Sequence, residues 1–393
     1  MKQEMNEKVG MMKEHSPLHK ALSVEDKPEK TGFEGLLVRQ GIEISFQRYA
    51  IDAFGAMALG LFASLLIGTI ISTLGNLFPA GNNVGQSLVE IGGTAMKATG
   101  AAMAMAIGHA LHAPVLVLFS LASVGMAANS LGGAGGPLAV FVVALVATEC
   151  GKLVSKTTPV DIIVTPFVTT VVGVGLAMLT APAIGAAAAQ VGEAVNWATT
   201  VQPFLMGIIV SVLMGIALTL PISSAAIAAS LGLTGLAGGA ALAGCCAQMV
   251  GFAVMSWPEN KWPGLLSQGL GTSMLQMPNI TKKPLLFLPP IIASAITGPI
   301  ATTVFHLEMN GPPLASGMGT SGMVGVIGVV TGWSAPSAIA LERGASVMQA
   351  GSWDILGLVL ISIVLPAVLT YLISAYFRRK SWIEYGDLTL DLG

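Results

Sequence analysis

The stretch IDAFGAMALGLFASLLIGTIISTL, residues 51–74, decides the fold class. Asp52 is its one charge, and the rest is long enough for a helix across a bilayer, which takes about 20 mostly apolar residues. Comparable segments follow at about 84–110, 112–131, 137–155, 159–183, 203–229, 238–256, 264–281, 285–306 and 354–377. The reading is an all-α polytopic membrane protein of about ten transmembrane helices. The stretch 312–341 stands apart, because Pro312 and Pro313 open it and Gly317, Gly319 and Gly322 interrupt it. Such backbone survives at membrane depth only against protein or a wet cavity. It is therefore read as a re-entrant or broken hairpin.

Composition and charge placement agree. Hydrophobic residues make up 53% of the 393 and charged residues 10%, against about 25% charged in a soluble domain. Residues 1–50 and 378–393 hold eleven of the eighteen Lys/Arg and eleven of the twenty Asp/Glu. The 327 residues between them are too poor in charge to coat a soluble surface. Cys150, Cys245 and Cys246 lie in apolar segments without metal-ligand or disulfide spacing and read as small core residues. No basic stripe points to nucleic acid, and neither a cofactor nor a metal is expected. No Walker A, H-E-x-x-H or G-x-S-x-G motif is present, so any energy source is an ion gradient or a separate protein.

The organisation follows: a polar tail at 1–31, an amphipathic interfacial helix at 32–50, a transport domain at 51–377 and a second tail at 378–393. Arg39 and Arg48 precede the first span, and Arg378, Arg379 and Lys380 follow the last. With Lys152, Lys156, Lys282 and Lys283 they place both termini in the cytoplasm of a multi-pass plasma-membrane protein. The segment 257–263, with Trp257 and Trp262, is then an external loop. SKTTPVDIIVTPFVTTVVG (155–173) and ITKKPLLFLPPIIASAITG (280–298) share their Pro–Gly spacing and form a candidate internal repeat.

Polar groups at membrane depth are functional candidates by default. In HLEMNGPPLASGMGTSG (306–322) these are His306, Glu308, Asn310, Thr320 and Ser321, an acid, an amide and hydroxyls around a broken helix. In QGLGTSMLQMPNITKKP (268–284) Gln268, Thr272, Ser273, Gln276 and Asn279 crowd a short segment that Pro278 interrupts; amides and hydroxyls there suit an uncharged polyhydroxylated ligand, with Gln276 and Asn279 as the site candidates. Both clusters have a plainer reading, helix capping for the first and interhelical hydrogen bonding for the second. Glu149 either accepts a bond from a substrate hydroxyl or pairs with Lys152 three residues on. Asp161, after Pro159, reads as a carboxylate in the first turn of a helix.

SKTTPVDIIVTP (155–166), QMPNITKKP (276–284) and NGPPLASGMGTSGMVGVIG (310–328) resemble the membrane-embedded enzyme IIC proteins of the bacterial sugar phosphotransferase system. The nearest branch is the stand-alone one also labelled toxin regulators, and the resemblance spans about 45–375. It implies a homodimer of ten-span protomers with re-entrant hairpins, binding a sugar near the bilayer midplane and alternating access. Separate IIA and IIB proteins would supply the phosphoryl group. Two alternatives stand beside it: a phosphorylation-independent transporter of a small polar solute, and a ligand-sensing membrane regulator.

Overall fold

The computed structural model describes residues 37, 39–76, 78 and 81–391. The segment 1–43 separates from one compact body, Ile44–Gly393, and only the latter is treated below. The tail at 1–31 lies outside the described residues, as do residues 32–36 and 38 of the segment 32–50. From Gln47 onward the chain already belongs to the first long helix.

The regular elements among the described residues are all helices, with no strand; one isolated bridge pairs Gly235 with Met309. α1 (Gln47–Asn76) is followed by α2 (Asn83–Lys97) and α3 (Thr99–Ala110), which pack back along it. Glycine sets that packing. A Cβ on Gly68 would stand 2.6 Å from the Gly92 carbonyl oxygen, and one on Gly75 the same distance from that of Gly85. Such close backbone approach supplies the van der Waals contact that holds helices together in lipid. α4 (Val115–Gly132) and α5 (Gly136–Val154) form an antiparallel pair, reversing at Gly133 with φ +50°. The long α6 (Asp161–Ala198) packs on both. Asp161 accepts the Lys156 N–H at 2.6 Å and the Thr165 hydroxyl at 2.6 Å, the helix-start role its position indicates.

The second half is less regular. α7 (Pro203–Thr219) ends at a turn through Pro221, and the short α8 (Ser224–Ser230) runs back from it. α9 (Gly235–Met255) is buried along nearly its whole length. A broken stretch comes next, containing α10 (Trp257–Leu266) and α11 (Met277–Lys282). α12 (Pro284–Val304) leads into an irregular strap, 305–312. A second broken stretch holds the single turn α13 (Pro313–Ser316) and α14 (Val324–Ser334). α15 (Ala338–Glu342) and α16 (Ser352–Arg379) complete the body.

Among the described residues, six helical stretches are long and apolar enough to cross a membrane, one of them being the α4–α5 pair read end to end. The segment 264–281 is not among them. Its two ends lie on the same side. Glu259 pairs with Arg378 at 2.8 Å and Asn260 donates to the Leu388 carbonyl at 2.7 Å. Asn279 bonds the Thr389 carbonyl at 2.8 Å and Lys283 pairs with Asp387 at 2.6 Å. The segment 257–263 therefore shares a face with the C-terminal tail, and the reading of an external loop followed by a span is corrected to a hairpin that enters and leaves by one face. The partners that hold it are more than 100 residues away in sequence, beyond the reach of any local pattern. The repeat finds no support in packing: Gly173 meets Val124, whereas Gly298 meets Gly207 and Ser211.

Candidate functional site

Three hairpins converge inside the body. α7–α8 starts and ends beside α12 and the strap: Thr302 bonds the Pro203 carbonyl at 2.8 Å, and Gly235, just beyond α8, pairs with Met309. The α13–α14 hairpin starts from that same strap, where a Cβ on Gly311 would meet the Gly328 carbonyl oxygen at 2.3 Å. The α10–α11 hairpin enters from the tail face. Its tip, Gly269–Ser273, meets the α13–α14 tip, where the Thr320 hydroxyl donates to the Gly269 carbonyl at 2.5 Å. Ser273 of the same tip lies 2.7 Å from Thr219 at the end of α7.

The α13–α14 tip is built from residues able to take left-handed backbone. Gly319, Gly322 and Met323 have φ of +55°, +51° and +58°. L-residues pay about 1–2 kcal/mol for that region, and glycine does not. Space is short as well, since a Cβ on Gly319 would lie 2.8 Å from the Cys245 carbonyl carbon. The widened helical turns Phe62–Leu66 and Ser267–Gly271 both reach the cavity wall, and such i→i+5 turns gather at functional positions.

The tips border a cavity of about 60 Å³. Leu61, Leu65 and Leu220 form its apolar wall, with Ser223, Thr272 and Ser321 as polar points. Leu61 and Leu65 fall at the middle of α1, so the cavity lies halfway along that helix. It admits a few waters and is far below the roughly 300–1,000 Å³ of ordinary ligand pockets. Two buried polar atoms here lack a hydrogen-bond partner, Ser321 Oγ and Gln248 Nε2.

The eight residues singled out in the sequence fall in four places. Thr320 and Ser321 are at the hairpin tip. Gln276 and Asn279 are instead part of an amide chain: Gln276 donates to Gln268 at 2.9 Å and to the Leu388 carbonyl at 3.1 Å, and Asn279 donates to Gln276 at 2.8 Å. That chain grips the C-terminal tail; Asn260 also accepts from the Leu390 N–H at 2.9 Å. Asn279 at the same time borders a cleft of about 550 Å³ on the tail face, with Gln47, Asp52, His112 and Lys282. Asn310, His306 and Glu308 lie on the strap, where Asn310 donates to Glu308 at 2.9 Å and His306 takes φ +45°. Glu149 pairs with buried Lys152 at 3.2 Å and accepts the Tyr49 hydroxyl at 3.1 Å. Lys152 and Arg48 both donate to the Leu111 carbonyl, at 3.0 and 2.9 Å.

Sequence reasoning passed over Thr219, Ser223 and Gln248. Gln248 had a visible signal, being the only amide in the apolar run of α9.

Broken hairpins meeting tip to tip beside a small cavity, inside a helical membrane protein, are the irregular backbone characteristic of membrane transport subunits. Residues 51–390 match the family described as "Phosphotransferase system, EIIC", and the chain belongs to that family. No curated protein and no solved structure matches the chain.

Proposed function

We propose that this chain is the sugar-conducting enzyme IIC of a phosphoenolpyruvate-dependent phosphotransferase system, and that the solute passes between the paired hairpin tips. The observation that carries the reading is the bond from Thr320 to the Gly269 carbonyl. It ties together, beside one cavity, the tips of two hairpins that enter from opposite faces, and in this reading the path opens where they separate. The tail face is cytoplasmic in this reading, in keeping with Arg378, Arg379 and Lys380 at the end of α16. The 550 Å³ cleft on that face is where a solute leaves and a separate IIB-type protein meets it. The protein supplies position while its partner supplies the phosphoryl group, and the protomer functions within a homodimer.

The test is uptake into vesicles containing the purified protein, with and without phosphoenolpyruvate and the general and IIA/IIB phosphotransfer proteins. Sugar phosphate accumulating only with the complete relay supports the proposal. Free sugar accumulating without it points to a phosphorylation-independent transporter, and binding without uptake points to a sensor.

A further inference from the structure

The cavity lining does not include the most costly polar group nearby. Gln248 is wholly buried on α9, between the end of α7 and the α10–α11 tip. Its Oε1 accepts the Thr219 hydroxyl at 3.3 Å, and its Nε2 has no partner. Exchanging the amide oxygen and nitrogen does not remove the problem, because Thr219 can satisfy only one of the two atoms. An unpaired buried amide destabilises the fold that holds it, and lipid offers no relief. Room has been left for this side chain: a Cβ on Gly215 would already lie 3.0 Å from Gln248 Cγ.

The neighbours indicate what the amide faces when the hairpins part. Thr219 is held by Gln248 on one side and by Ser273 at 2.7 Å on the other. Ser273 travels with the tail-face hairpin. Its withdrawal would leave the Thr219 hydroxyl and the Gln248 amide uncovered beside the cavity, whose lining includes the neighbours of Thr219, Leu218 and Leu220, and the unpartnered Ser321 hydroxyl. None of these groups is ionisable. Together they offer donors and acceptors to a neutral group that is both, which is the chemistry of a hydroxyl.

We infer that Gln248 is a solute-binding residue, its amide hydrogen-bonding a hydroxyl of the carried solute once the tips separate. The inference rests on the reading of the cavity as the solute path.

The experiment uses detergent-purified full-length protein. A panel of hexoses, N-acetylhexosamines and hexitols is screened by thermal shift on the wild type, and the strongest stabiliser becomes the probe. Gln248→Met keeps length and shape but removes the amide. The variant is expected to melt at or above the wild-type temperature, because an unpaired polar group is gone, and to bind the probe roughly 10- to 100-fold more weakly. In a second variant, Gln248→Cys with the three native cysteines replaced by alanine, the probe should slow modification by a small thiol reagent. Unchanged affinity in the Met variant, or modification indifferent to the probe, would overturn the inference and leave Gln248 as a core amide that meets only water. A wild type stabilised by no member of the panel would overturn the solute-path reading itself, and the role of Gln248 with it.

Discussion

At the scale of single residues, the tip of α13–α14 depends on what is missing from its side chains. Gly319 needs φ +55° and has the Cys245 backbone 2.8 Å from where a Cβ would be. Gly319→Val should abolish uptake while the protein still inserts, because the flanking apolar helices drive insertion. Ala63→Val, on an exposed position of α1, should leave uptake unchanged in the same vesicle assay. Thr320→Val keeps the shape but removes the donor to Gly269, and should loosen the tip pairing by about 1 kcal/mol. Its readout is faster thiol labelling of a cysteine placed at Thr272. The glycines and the Thr320–Ser321 pair were legible because prolines and glycines in an apolar run have few other uses. The partner of Thr320 was not, since a backbone carbonyl leaves no mark in the sequence. Gln276 and Asn279 were noticed for their amides, but whether an amide meets a solute or the chain's own tail depends on a segment over 100 residues away.

At the scale of elements, charge placement and apolar length suggested the long helices and the broken stretch after Pro312. They misread 257–281, where aromatic residues and an apolar run mimic a loop and a span. What fixes that hairpin is the tail. Asn260 bonds both the Leu388 carbonyl and the Leu390 N–H, and Leu388 is fully buried. Cysteines at Lys261 and Lys282 should therefore react with an impermeant thiol reagent from the same side of the membrane, and labelling from opposite sides would restore the span. Asn260→Ala should free the tail and raise the rate of trypsin cleavage after Lys380 about fivefold, for a loss near 1 kcal/mol. The clamp should also respond to acid. Partial burial pushes the Asp387 carboxyl up, but the hydrogen bonds from Lys283 and the Glu384 N–H, with the charges of Lys283 and Arg378, hold it below its ordinary value. A depressed carboxylate stabilises docking at pH above its unfolded value, about 3.9. That contribution disappears as pH falls through the lower folded value. Tail release followed by an acid-stable protease should thus be flat from pH 7 to 5 and increase below about pH 4.

For the molecule as a whole, three hairpins meet beside a cavity of about 60 Å³, too small for an ordinary solute. Transport then requires the tips to part, and this is the claim on which the proposed function depends. Gly269 offers a direct handle, because a Cβ there meets its nearest neighbour, Ala253, at a comfortable 3.6 Å. Cysteines at Gly269 and Thr320, in a protein whose three native cysteines are alanine, can be joined by a short reducible bifunctional thiol reagent in reconstituted vesicles. Joining the tips should stop uptake of the probe sugar, and reduction should restore it. Uptake at an undiminished rate through the joined protein would contradict the account, because the solute would then be travelling by another route.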